Sequence, residues 1–185
     1  MGKIPAKSNM VSSIILSPSP GQVINAGEDF DIEVQTRGLA AGAFTNAAST
    51  YYSAPQDLNG QGSIIGHCHV TVQDLGGSFT PNQALDPEKF AFFKGINDEG
   101  NGQGLLKATV TGGLQPGFYR VCTMNSAANH QPVLMPVAQR GAQDDCQKFQ
   151  VVAGNGGNGG GNNEDNPENG KKSSTPRLRY DNNLH

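Results

Sequence analysis

Tryptophan is missing from this chain altogether, and the other aromatics are sparse, with eight Phe and four Tyr in 185 residues. Platforms that stack on sugar rings usually lean on Trp, so glycan binding here would have to rest on tyrosine. Charge is scarce as well: 16% of residues are charged and the net charge is −3. No global field draws nucleic acid or anionic lipid. Lys and Arg are dispersed apart from a short basic stretch near the C-terminus, so nucleic-acid binding is not expected. No apolar run approaches the ~20 residues that cross a bilayer, and no membrane span is expected. The opening Met1-Gly2-Lys3-Ile4-Pro5-Ala6 lacks the apolar stretch of a signal peptide. Ala6 also stands where N-myristoylation wants Ser or Thr. Neither an export signal nor an N-x-S/T sequon is present in the sequence as it stands, which a mature or truncated chain would share.

Cysteine is limited to Cys68, Cys122 and Cys146. None falls in C-x-x-C spacing, which excludes a ribbon-type structural zinc site. An odd count fits one disulfide with one buried thiol, or three free thiols in a reducing cell. Cys122 lies in a strand-like stretch and Cys146 just before another. We expect that pair to be joined, with Cys68 on the core face of its strand.

Strand signals fill the first 153 residues. Ser13-Ile14-Ile15-Leu16 precedes the turn Ser17-Pro18-Ser19-Pro20-Gly21. Next comes an alternation with Phe30, Ile32, Val34 and Thr36 on one face and Asp29, Asp31, Glu33 and Gln35 on the other. Period two with β-branched and aromatic residues reads as a half-buried strand. A second strand over 64–73 has apolar Ile64, Cys68, Val70 and Val72 at even positions, and His67, His69, Thr71 and Gln73 at odd ones. Further strands are expected near 105–110, 118–123, 133–138 and 148–152, separated by turn signals such as Gly112-Gly113 and Gln115-Pro116-Gly117. About seven short strands predict an all-β fold, an antiparallel immunoglobulin-like β-sandwich. One short helix is expected over 86–95, where Asp86 caps, Pro87 opens, Glu88 comes early, and Lys94 and Gly95 come late. The alternative is a strand through 90–94. The stretch 39–62 reads as a long structured loop.

After Ala153 the composition shifts abruptly to Gly, Asn, Asp, Glu and Pro. Such sequence buries too little apolar surface to offset its ordering entropy. The expected organisation is an N-terminal extension over 1–10, a sandwich domain over 11–153 and a disordered Gly/Asn-rich tail over 154–185. Within the tail, Gly154-x-Gly156-x-x-Gly159 formally matches the dinucleotide fingerprint. The strand–turn–helix context that motif needs is absent, because low-complexity sequence comes after it. Gly100-x-Gly102-x-Gly104 reads as a hairpin loop.

The strongest constellation is His67-x-His69. On a strand, residues i and i+2 share a face about 7 Å apart, which lets two imidazoles reach one ion. His130, in Asn129-His130-Gln131-Pro132, could supply a third ligand, giving a copper or zinc site with an open fourth position. The plainer reading is that both strand histidines sit on a polar sheet face and hydrogen-bond to loop backbone. His185 lies in the tail. A copper histidine brace, as in polysaccharide monooxygenases, needs an N-terminal His, and this chain starts Met1-Gly2. There is no G-x-S-x-G nucleophile elbow. No catalytic residue is assigned. Asp29, Asp31 and Glu33, or Asp144-Asp145, could bind a cation, but a solvated face and a turn account for them. Tyr51-Tyr52 could contact a glycan; packing of the loop onto the sandwich is the simpler account.

Four stretches in order carry a resemblance: Tyr51-Tyr52-Ser53-Ala54-Pro55-Gln56-Asp57-Leu58, Gly66-His67-Cys68-His69-Val70, Phe90-Ala91-Phe92-Phe93-Lys94-Gly95, and Ala127-Ala128-Asn129-His130-Gln131-Pro132-Val133. Together they resemble a family of fungal secreted or cell-surface proteins, some associated with appressorial penetration. The resemblance spans roughly 2–152 and implies a setting more than a reaction. That setting is a secreted or cell-surface protein, with a cell-wall polysaccharide or a host surface component as partner. Family members usually carry a signal peptide and a further N-terminal segment, so a fragment or truncated chain is expected. The functional expectation is a non-enzymatic extracellular protein at the cell wall or host interface. Its alternatives are a metal-binding protein built on the three histidines and a glycan-binding adhesive module.

Overall fold

Alternation between apolar and polar residues builds most of this molecule, and the computed structural model, which describes residues 1–154, shows where each apolar stripe goes. Among the described residues nine strands form: β1 Ser12–Ser17, β2 Val23–Asn25, β3 Phe30–Arg37, β4 Leu39–Ala40, β5 Ile64–Asp74, β6 Phe92–Ile96, β7 Leu105–Val110, β8 Gly117–Ala127 and β9 Cys146–Val152. A three-stranded sheet in the order β1-β3-β7 faces a six-stranded sheet in the order β2-β9-β8-β5-β4, with β6 also pairing β5. The long pairings are antiparallel, but the short β2–β9 and β4–β5 pairings are parallel. The chain is therefore an all-β sandwich, and its 1–154 portion forms one compact unit.

The inner faces meet as the pattern predicts. Ile32 and Val34 of β3, with Leu106, Ala108 and Val110 of β7, pack against Cys68, Val70 and Val72 of β5, Val121 of β8 and Phe149 of β9. Each such side chain, once fully buried, stabilises the fold by roughly 1.5–3 kcal/mol. Phe149 meets Phe30 and Tyr119 with ring centroids 5.7 Å away in both cases. A smaller cluster of Val11, Ile64, Ala127 and Val133 closes one end. Cys122 and Cys146 are cross-strand partners on β8 and β9 and form a disulfide, while Cys68 is free and buried.

Two elements differ from expectation. No helix forms over 86–95. Asp86 accepts from the Glu88 amide at 3.0 Å and its carbonyl from the Lys89 amide at 3.2 Å, a single turn. The chain then enters β6, which pairs Phe92 with Val72 and Ile96 with Cys68. The capping chemistry is real, but the open edge of β5 offers a full ladder of hydrogen bonds and takes the segment as a strand. The strand expected over 133–138 is also missing. Pro132 makes one isolated bridge to Ser126. With Pro132 and Pro136 both lacking an amide donor, no ladder can propagate there. The segment is pinned instead by single bonds, from Val133 N to Asn125 O and from Leu134 N to Gln56 Oε1. The Gly/Asn-rich stretch beyond 154, with its glycine motif and His185, lies outside the described residues. Among the described residues, no helix is long and apolar enough to cross a membrane.

Candidate metal centre

The odd-numbered face of β5 points away from the sandwich core, yet His67 on it has no exposed surface. The cover is the segment directly after β4. Ala43 and Thr45 lie along it as an extended tie. The Ala43 amide donates to Gly66 O at 3.0 Å and the Thr45 amide to Ala128 O at 2.7 Å. Their carbonyls turn the other way, onto histidines. His67 Nδ1 is 3.1 Å from Ala43 O, and His130 Nε2 is 2.6 Å from Thr45 O.

Those two contacts fix where one proton of each ring sits. A carbonyl only accepts, so His67 carries its proton on Nδ1 and His130 on Nε2. The remaining nitrogens, His67 Nε2 and His130 Nδ1, face each other at 3.0 Å, while His69 Nε2 is 3.1 Å from His67 Nε2. With every ring neutral, at least two lone pairs oppose one another with no hydrogen between them. A cation at their focus removes that repulsion. Ligand atoms of His67, His69 and His130 all lie within 4.8 Å of one another, so the cluster could hold a metal ion. For bonds of ~2.0–2.1 Å, the separations about His67 correspond to N–metal–N angles of about 95°, between square-planar and tetrahedral values.

Local sequence explains how the rings converge. His67 and His69 alternate on one strand face. His130 arrives from the turn after β8, where its amide donates to Ala127 O at 2.9 Å. His130 holds a left-handed φ of 69°, a conformation that His adopts more readily than most non-glycine residues. Asn129 braces the turn: its amide group donates to Ala54 O and to Gln131 Oε1, and its Oδ1 accepts from the Gln131 amide. Glycines supply clearance. A Cβ on Gly66 would collide with Ser126 O, and one on Gly95, the β6 partner of His69, would lie 3.3 Å from the His69 ring.

Burial first, and then the neighbouring histidines, together push the pKa of both His67 and His69 down to about 4. Both rings are thus neutral bases at physiological pH, the form that ligates metals. Aromatic rings surround them. Phe44 meets His67 edge-on at 6.0 Å, Tyr51 stacks on His130 at 5.6 Å, and Phe93 lies 5.3 Å from His69.

The other candidates, Glu33 apart, have structural duties. Asp31 pairs with Lys107 Nζ at 2.7 Å and accepts from Thr109. Asp29 accepts from the Gly112 amide. Asp144 accepts from Thr123 and from both nitrogens of Asn125, and Asp145 accepts from the Ile15 amide. None of these carboxylates joins the histidines. Tyr51 and Tyr52 stack on each other at 4.3 Å beside His130. Sequence reasoning did not find Ala43, Thr45 or Phe44, and the first two leave no signal in sequence because their main-chain carbonyls do the work.

Fold and site together define a β-sandwich domain whose outer face carries a three-histidine cluster able to hold a metal ion. Within that class the chain belongs to the CLU5d N-terminal domain family, which it matches over residues 13–152. It is similar to the pathogenicity cluster 5 protein d of the fungus Colletotrichum graminicola, 66% identical over 151 residues, covering 82% of this chain and 32% of the relative. The chain spans about a third of that relative's length.

Proposed function

We propose that this domain binds a transition-metal ion, copper or zinc, through His67, His69 and His130. We further propose that it does so as part of a secreted or cell-surface fungal protein acting at the cell wall or host interface. The observation that carries the first part is the opposition of His67 Nε2 and His130 Nδ1 at 3.0 Å, each ring tied by its other nitrogen to a main-chain carbonyl. Metal-ligating histidines characteristically donate their second N–H in this way, which fixes tautomer and ring orientation. The role assigned is binding, with no reaction.

The extracellular setting draws on two points. A disulfide persists in oxidising compartments and is rare in reducing ones. The relative's name also links that protein to pathogenicity, and an appressorial or host-contact role is the extension made here. The test of metal binding is elemental analysis of the purified, dialysed protein beside a His67→Ala/His69→Ala variant. Near-stoichiometric copper or zinc in the parent, reduced to background in the variant, is the expected result. A metal-free parent, even after reconstitution, refutes it. Culture fractionation tests the setting, and full-length protein confined to the cytosol would contradict it.

A glycan-binding role is the second reading, favoured by the exposed Tyr51–Tyr52 stack, with 56% and 52% of those residues accessible. Retention on chitin or β-glucan that Tyr52→Ala abolishes would support it. Failure to be retained on either polymer would dismiss it.

A further inference from the structure

We propose that the three-histidine site selects copper over zinc and holds it preferentially as Cu(I). This rests on the metal-binding reading above and adds the identity and oxidation state of the ion. The donors are three neutral imidazole nitrogens, and no carboxylate or thiol joins them among the described residues. The groups behind the rings are neutral too: Ala43 O, Thr45 O and the Ser126 hydroxyl, 3.5 Å from His69 Nδ1. A bound ion therefore keeps its whole charge.

The surroundings make that charge expensive. His67 is fully buried, His69 and His130 are half-buried, and the partly exposed rings of Phe44, Tyr51 and Phe93 form an aromatic rim. The Born cost of placing an ion in such a low-dielectric setting rises with the square of its charge, so a divalent ion costs about four times as much as a monovalent one. A hydrophobic shell acts on redox potential through this same difference. Coordination number points the same way. Zn²⁺ wants four ligands, whereas d¹⁰ Cu(I) is content with two or three neutral donors. Met124 is the cross-strand partner of His69 on the same sheet face, and a thioether is a donor type that favours Cu(I). The redox change is a single electron, Cu(II) + e⁻ → Cu(I), drawn from an external reductant such as ascorbate.

The test uses the full 185-residue chain, stripped of metal. Cu(I) is titrated anaerobically against a chromogenic Cu(I) chelator, Cu(II) against a competing peptide, and Zn(II) against a zinc indicator. Cu(I) should bind at least ~tenfold tighter than Cu(II), as the charge-squared cost requires, with Zn(II) weaker than either because nitrogen sites hold Cu(II) more tightly than Zn(II). Phe93→Glu places a carboxylate beside His69 at an exposed position, and should narrow the Cu(I)-to-Cu(II) preference by roughly tenfold or more through its Coulomb attraction for the divalent ion. Cu(II) bound as tightly as Cu(I), or Zn(II) displacing Cu(I), overturns the assignment while leaving metal binding intact. A chain that shows its native circular dichroism yet takes up none of the three ions overturns the metal reading and this inference together.

Discussion

The two faces of β5 are both covered, but by different physics. On the inner face, Cys68, Val70 and Val72 are fully buried against the opposite sheet and need no directional partner. On the outer face, His67 and Gln73 are buried under loops, and nearly every polar atom there is matched to a named group. His67 Nδ1 donates to Ala43 O. At the other end of the strand, Gln73 Nε2 donates to Asp86 O and Lys89 O, while its Oε1 accepts from Arg120. Non-directional burial tolerates substitution by any apolar group of similar volume. Burial of polar groups requires every donor and acceptor to be placed. The exception on the outer face, the unmatched lone pairs between His67 and His130, marks the site.

Several substitutions and conditions test this contrast. The largest loss is expected on the inner face: Phe149→Ala should cost about 3–5 kcal/mol in urea denaturation, because it combines lost transfer energy with a cavity. A loss below ~1 kcal/mol would mean that the inner core collapses around the gap far more readily than its packing implies. Reduction of Cys122–Cys146, which are separated by 24 residues, should come next at roughly 3 kcal/mol from restored loop entropy. Denaturation with and without reductant measures it.

The outer face should respond to pH where the inner face does not. His67 and His69 are held near 4 in the fold against 6.5 for a free imidazole. Above pH 6.5 both states are neutral and the metal-free fold keeps its full stability. Between 6.5 and 4 the unfolded chain takes up protons that the fold refuses, so stability must fall as pH falls. Thermal melts of metal-free protein across that window should show the decline, and a flat profile would refute neutral burial. The smallest effect should come from Gln73→Ala, about 1–2 kcal/mol, since Asp86 O, Lys89 O and the Arg120 guanidinium all lose a partner but lie close enough to solvent to recruit water. A neutral outcome would show that the outer-face hydrogen bonds only replace bonds to water.

Much of the inner face was readable in advance. Period-two alternation in β3 and β5 is a direct consequence of side chains pointing to opposite sides of a strand, so Ile32, Val34, Val70 and Val72 announce themselves. Local capping chemistry misled at 86–95. Asp86, Pro87 and Glu88 encode how a turn starts, and not whether a neighbouring sheet edge will claim the residues after it. The strand expected at 133–138 failed for a reason that was visible in Pro132 and Pro136. The parallel partners β2 and β4 are only three and two residues long, too short to carry a period.

The sequence by itself determined the longer strands β1, β3, β5, β7, β8 and β9, the cysteine that would face the core and the three residues with metal-ligating chemistry. Those properties follow from side-chain type and short-range spacing. Only the tertiary structure decided that His130, 63 positions from His67, closes on it. It also decided that Ala43 and Thr45 set the tautomers and that aromatic rings wall the cluster. Convergence of distant segments depends on loop closure and on main-chain carbonyls, and a carbonyl is the same in every residue.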